Sequence, residues 1–260
     1  MMIKIIDFSK YLSIKIGAAL PVKVIDSFTY DRELKILGFG FNLLIAPSAK
    51  NLAILGDNFD YIRDLGDYIE VGGSTSSAKI FRYFWQNNLT GLEFLRALPG
   101  SLGGLVKMNA GMKEYEMKGI LDSVCVDGVW RDAKTLGIAY RKTEIDGVIF
   151  AARFKKILGF QEGLLEKFSN MRKTHPKFPS CGSCFKNPEG DFAGRLLEAV
   201  GMKGYFINGV GFSEQHANFL VNKNRGVADF ASAMQVIELA EKKVSDIFGI
   251  KLQKEVIIIE

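Results

Sequence analysis

An α+β fold is predicted for this chain by three observations: glycine-punctuated apolar runs of strand length in the first half, helical periodicity in the second, and a β-branched run at the end. The first half contains "ELKILGFGFNLLIAP", "DYIEVGGSTSS" and "RALPGSLGGLVKMNAGM", in which residues 34–37, 43–46 and 68–71 read as strands bounded by Gly or Pro. Between them, Ile80, Phe81, Phe84 and Trp85 recur at helical spacing, with Ser76 or Ser77 as the cap. In the second half, Ala193, Leu196, Leu197 and Val200 mark a short amphipathic helix between Asp191 and Gly201. Asp229 caps a longer helix whose stripe runs through Phe230, Ala233, Ile237, Ala240, Val244 and Ile247 or Phe248 and stops at Gly249. The chain closes on "KLQKEVIIIE", a strand, and a boundary between its two halves is expected near residues 160–178.

Composition bounds the function. With 260 residues there is room for about two domains, and 48% apolar with 24% charged residues is the balance of a globular protein. A net charge of +5 without a run of five basic residues does not suggest a nucleic-acid groove; it fits a small anion such as a nucleotide, and solubility alone explains it equally. No segment approaches the ~20 apolar residues of a membrane span. Lys4, Asp7, Lys10 and Lys15 interrupt the N-terminal stretch, so it is not a secretory segment. Three cysteines are too few, and odd in number, for a secreted disulfide framework, and a cytoplasmic protein is expected.

Two glycine loops, "GFGFNLL" (Gly38, Gly40, Phe41, Asn42, Leu43) and "PGSLGG" (Pro99, Gly100, Ser101, Gly103, Gly104), each follow an apolar run. Glycine lets backbone N–H groups close on a phosphate, and Ser101 or Asn42 adds a donor. Neither loop is a dinucleotide fingerprint or a P-loop, and each taken alone reads as a tight turn before it reads as a phosphate site. Together with "MNAG" (residues 108–111, including Asn109 and Gly111), they point to a phosphate-bearing cofactor whose kind glycine does not specify.

The stretch "PSCGSCFKNPEGDFAGRLLEAVG" offers a sulfur and a hydroxyl. Cys181 and Cys184 have C-x-x-C spacing, but the remaining Cys125, His175 and His216 supply no second pair for a zinc site. Pro188 breaks the helix that a thioredoxin-like pair would need. The cysteines therefore read as buried thiols and no metal is expected.

Ser183 gains weight from its neighbours. "GSCFKNP" (residues 182–188), the "AG…G…G" run of residues 193–204, "SEQHANF" (213–219) and "EV" (255–256) occur in one order. Upstream stand "GFGFNLL" (38–44), "GLEFLRALPGSLGG" (91–104), "MNAG" (108–111) and "YRKT" (140–143). This series, over roughly residues 12–258, resembles the UDP-N-acetylenolpyruvoylglucosamine reductases of peptidoglycan precursor synthesis, and its joint occurrence is highly specific.

The resemblance implies an α+β enzyme: a two-part FAD-binding region (1–56 and 57–165) followed by an α/β substrate-binding domain (166–260) carrying a C-terminal catalytic strand. Hydride would pass from NADPH to FAD and then to the enolpyruvyl methylene carbon of a UDP-sugar, giving UDP-N-acetylmuramate. The charge left on the neighbouring carbon and its carboxylate calls for a charge partner, an enol stabiliser and a proton donor. By the motif match these are Arg141, Glu255 and Ser183. Arginine suits the first role because it grips a carboxylate in two places. Glu255 helps only if at least partly protonated, so a raised pKa is expected there. Serine is a poor acid and needs support, for which Lys186 is a candidate. Lys186, Asn187, Ser213, His216 and Asn218 are implied for the sugar nucleotide, and both glycine loops with Asn109 and Gly111 for FAD. A monomer is expected.

Departures from the family pattern are also visible. Phe41 replaces the usual serine, implying looser FAD binding, and Met112, Lys113, Glu114 and Tyr115 replace a small-aromatic-glycine run. A helix is missing from the short stretch between residues 15 and 38. The short interval between Arg141 and Ser183 marks the subtype without a tyrosine-bearing insertion. The alternatives are an FAD-dependent oxidase of related architecture and a non-catalytic UDP-sugar-binding module.

Overall fold

The computed structural model describes residues 2–260. They gather into two compact units, one comprising the N-terminal residues through Lys4, Val22–Phe39 and Asn51–Lys173, the other Ile5–Pro21, Gly40–Lys50 and Thr174–Glu260.

In the first unit, the strand Ala19–Ile25 pairs through Val22–Ile25 with Leu52–Leu55, which pairs on its other side with Lys35–Leu37, both in parallel. The intervening residues 26–34 contain no helix. From Asp57 onward the architecture changes to a five-stranded antiparallel sheet in the order Val129–Asp132, Leu121–Val126, Ile149–Lys155, Tyr68–Gly72, Ile62–Asp64. Successive strand side chains point to opposite faces. Val124 and Val126 accordingly join Ile80, Phe84 and Phe168 in one cluster, whereas Cys125 joins Ala53, Phe59 and Phe150 in another.

The helix Ser77–Gln86 begins where Ser76 accepts the Lys79 N–H. Ile80 and Phe84, four apart, form its buried line, while Trp85, expected within the stripe, is 49% exposed. One residue further along a helix is about 100° further around it, so Trp85 is carried off the face that Phe84 buries.

In the second unit, Ser180–Ser183, Phe219–Asn222, Val210–Phe212 and Phe206–Ile207 form an antiparallel sheet in that order. The helix Phe230–Phe248 packs on it through Ala233, Val236, Ile237, Ala240 and Val244. Asp229 caps this helix by accepting the Ser232 N–H at 2.7 Å, and Gly249 ends it at φ 65°. The expected stripe does not extend through the last turn: Ile247 is 63% and Phe248 36% exposed.

The helix Ala193–Ala199 also differs from expectation at its start. Its N-cap is Phe192, which offers no side-chain bond. Asp191 instead pairs with Arg195, whose guanidinium holds the Asp191 carboxyl down at about 2, and Asn187 Oδ1 takes the Ala193 N–H at 3.0 Å. The closing strand is shorter than the sequence suggests, Ile257–Ile259, and pairs in parallel with Leu43–Ile45.

Replacing Asp229 with alanine is expected to lower stability by about 0.5–2 kcal/mol, the usual worth of a side-chain N-cap. Urea unfolding should show the midpoint falling with the slope unchanged.

Candidate active site

Ser183 ends the strand Ser180–Ser183, opposite Phe219. The pairing is irregular between Ser180 and Ser183, with Gly182 at φ 80°. Such a bulge re-aims the side chain that follows it. The next residue organises what lies around it. The Cys184 N–H is donated to the Asn218 carbonyl at 2.7 Å, and the Cys184 carbonyl accepts from Glu255 N–H at 2.8 Å and Val256 N–H at 3.2 Å. Lys186 N–H is donated to the Gln253 carbonyl at 2.8 Å. Cys184 thus ties the segment that follows Ser183 to Asn218 on one side and to Glu255 and Val256 on the other.

Asn42 holds the other side of Glu255. Its Nδ2 donates to the Glu255 carbonyl at 2.9 Å, while its own carbonyl accepts the Ile257 N–H at 3.0 Å. Gly40, at φ 75°, presents the loop closely to the short helix Phe8–Tyr11: a Cβ there would lie 2.9 Å from Leu12 Cδ2. Phe41 is exposed and Leu43 buried.

Residues 213–219 frame this arrangement. Asn218 is buried, and its carboxamide spans one residue of the serine segment, donating to the Phe185 carbonyl at 2.7 Å and accepting the Phe185 N–H at 3.0 Å. Ser213 is buried and accepts the Gln215 N–H at 3.1 Å. His216, half-buried, accepts the Asn218 N–H on Nδ1 at 3.4 Å and lies edge-on to Phe219; burial pulls its pKa below the usual histidine range. Burial pushes the Cys181 thiol up to about 12 and Cys184 well above its ordinary value. No cluster of three or more metal-ligating side chains occurs among the described residues.

Arg141 lies in the first unit, in the left-handed region at φ 52°. Its guanidinium donates to the Asn109 carbonyl at 3.3 Å and the Gly111 carbonyl at 2.7 Å. Asn109, also left-handed at φ 41°, is buried and fully used: Nδ2 donates to Glu116 at 3.0 Å and Ala139 at 3.1 Å, and Oδ1 accepts the Lys118 N–H at 3.1 Å. The M-N-A-G segment therefore holds an arginine. The residues that depart from the family pattern form a tight hairpin here, Gly111–Met112 against Tyr115–Glu116, with Lys113 at φ 54° in its turn.

Gly38, in the same unit, abuts the second glycine loop: a Cβ on it would fall 2.9 Å from Ser101 Oγ and 3.8 Å from Gly104 Cα. Ser101 caps the helix Leu102–Lys107. Two amides expected on a phosphate are used by the protein, Leu102 N–H on Thr75 at 2.8 Å and Gly103 N–H on Gly73 at 2.9 Å. The Gly104 N–H is taken by Ser101 Oγ at 3.4 Å, and the absence of a Cβ at Gly38, Gly100 and Gly104 lets main chain pack closely at this helix start, a shape that fits the pyrophosphate of a flavin dinucleotide. The turn at residues 73–77 packs on this loop through the Gly73 and Thr75 carbonyls; the sequence marked it as a glycine-bounded strand end and a helix cap, with Gly72 and Gly73 as the signal for close packing.

Fold and site define an α+β oxidoreductase. The structure superimposes on the crystal structure of UDP-N-acetylenolpyruvylglucosamine reductase (MurB) from Thermus caldophilus with a TM-score of 0.83, 27% sequence identity and 100% of each chain covered. The C-terminal domain of UDP-N-acetylenolpyruvoylglucosamine reductase matches residues 174–259. Relatives of that name include one from Helicobacter pylori (strain J99), 55% identical over 96% of each chain. Another, from Campylobacter jejuni (strain RM1221), is 43% identical over 98% of this chain and 100% of its own. The chain belongs to the UDP-N-acetylenolpyruvoylglucosamine reductase family.

Thiols protonated to this degree leave little nucleophile at neutral pH. At pH 8, a thiol-specific disulfide reagent is expected to label neither Cys181 nor Cys184 until the protein is unfolded. Cys181→Ala and Cys184→Ala should each keep turnover within a few-fold of wild type, measured by NADPH consumption.

Proposed function

We propose that this chain reduces UDP-N-acetylglucosamine enolpyruvate to UDP-N-acetylmuramate with NADPH through FAD, as a cytoplasmic monomer. What supports the proposal is the Cys184 carbonyl, which bonds the main chain that follows Ser183 to the N–H groups of Glu255 and Val256. Bound FAD would supply the hydride it receives from NADPH. Gly38, Gly100, Ser101 and Gly104 would hold its pyrophosphate, with Pro99, Gly103, residues 40–43, Asn109 and Gly111 shaping the surroundings. We assign residues 1–56 and 57–165 to the flavin region and 166–260 to the substrate domain, although the compact units divide the chain between Lys173 and Thr174 and take residues 5–21 and 40–50 into the C-terminal one.

The chain's own residues supply the rest. Hydride addition to the methylene carbon breaks the carbon–carbon π bond and leaves an electron pair on the neighbouring carbon, shared with its carboxylate. Arg141 pairs with that carboxylate, its guanidinium held by the carbonyls of Asn109 and Gly111. Glu255, protonated, donates to the enolate oxygen. Ser183 Oγ–H gives its proton to the carbon and is reprotonated from solvent, so one hydride and one proton complete the reduction. Lys186 and His216 are assigned to the sugar nucleotide, and Asn187, Ser213 and Asn218 to its setting.

In an anaerobic titration of the flavin-loaded enzyme, Ser183→Ala should leave bleaching by NADPH intact. Recovery of the visible band with the enolpyruvyl sugar should slow by about 100–10,000-fold, the range of general-acid catalysis. Equal loss of both half-reactions would make the serine structural, and a wild-type flavin that recovers only with oxygen would overturn the proposal. Gly38→Ala should raise the flavin dissociation constant roughly tenfold, equivalent to about 1.4 kcal/mol, measured by equilibrium dialysis.

A further inference from the structure

We propose that Asn218 is a positioning residue for proton transfer, not a ligand of the sugar nucleotide: it fixes the peptide frame on which Ser183 and Glu255 are carried. The proposal rests on the assignment of Ser183 as the acid.

Asn218 makes three bonds to the segment that follows Ser183. Its carbonyl takes the Cys184 N–H at 2.7 Å, Oδ1 takes the Phe185 N–H at 3.0 Å, and Nδ2 gives to the Phe185 carbonyl at 2.7 Å. Cys184 and Phe185 are therefore held on one side by Asn218, and the Cys184 carbonyl is left to accept Glu255 and Val256. The side chain is 4% exposed, and its oxygen and nitrogen are both engaged with one residue. An acceptor and a donor on one planar group, here a carboxamide, close this ring with a peptide's N–H and C=O. The second N–H and the remaining lone pair belong to a side chain that is almost wholly buried, which leaves a ligand little access to them. Because proton transfer depends on heavy-atom placement within a few tenths of an ångström, loosening the clamp should damage that step more than binding.

The chemistry of the clamp suggests its own test, Asn218→Asp. As a carboxylate, the new side chain keeps the acceptor but sets an anion against the Phe185 carbonyl. Protonated, it regains a donor and restores both bonds, and burial raises the pH at which it protonates. The titratable and charged groups around the position are His216 and, beyond it, His175, with Lys186, Glu241, Lys254 and Glu255 on the neighbouring segments. All are present in the wild type, whose pH profile is the control.

In the flavin-loaded Asn218→Asp enzyme, reoxidation by the enolpyruvyl sugar should be at least tenfold slower than wild type at pH 8. It should approach the wild-type rate as the pH falls towards 5.5, with bleaching by NADPH unchanged throughout. In the flavin-free protein, amide exchange at Phe185 and Glu255, corrected for its intrinsic pH dependence, should be faster than wild type at pH 8 and regain protection at pH 5.5. Should the variant fail to fold, Asn218→Ser keeps the main-chain bond without the clamp and should slow reoxidation at every pH with KM unchanged. A raised KM with normal kcat, or normal reoxidation in a folded variant at pH 8, would overturn the proposal. Ser183→Ala run in parallel separates the two ideas: if it leaves reoxidation intact, the acid assignment itself has failed.

Discussion

The Cys184 carbonyl, accepting N–H groups from both Glu255 and Val256, is the interaction on which the second unit's chemistry depends. A carbonyl has two lone pairs, and using both here locks the direction in which the C-terminal segment leaves. Without it, Glu255 would sit on the free approach to a three-residue strand. With it, the carboxyl-bearing residue is tied to the serine segment, and Asn42 closes the other end of the same peptide. The parallel pairing of Ile257–Ile259 with Leu43–Ile45 then continues the register. A loop expected to serve only a cofactor is thereby joined to the residue expected to stabilise the enol.

Arg141 is held by the same kind of device built from different parts. Main-chain carbonyls of Asn109 and Gly111 take its guanidinium, and the Asn109 carboxamide is spent on Glu116, Ala139 and Lys118. Two residues in the left-handed region, Arg141 and Asn109, persist because bonds around them over-determine their conformation. In both units, asparagine carboxamides brace the backbone. Family membership, carried by relatives spanning nearly the whole chain, sets aside the oxidase alternative.

Much of the fold was legible where the signal is local. Ser76 and Asp229 stop a helix at its start, and Gly249 at its end, because capping depends on the few residues that follow or precede. The stripe through Ile80 and Phe84 was visible for the same reason, while its edge at Trp85 depended on what the helix packs against. Asp191 looked like a cap and is an ion-pair partner, since Asn187 had already reached the open N–H of Ala193.

By itself, the sequence determined which side chains are available for the chemistry: Ser183, Arg141 and Glu255 stand in motifs whose order specifies a family. It also argued against a sulfur centre, because no further ligand set accompanies Cys181 and Cys184 and Pro188 follows them. Only the tertiary structure decided how those residues are held. It brought residues 5–21 and 40–50 into the C-terminal unit and gave Asn42, Asn109 and Asn218 bonds to main-chain carbonyls. The physical reason is that a bond to a peptide N–H or C=O is indifferent to the side chain of its partner. Phe185, Glu255 and Ala139 therefore carry no mark in the sequence of the asparagines that reach them.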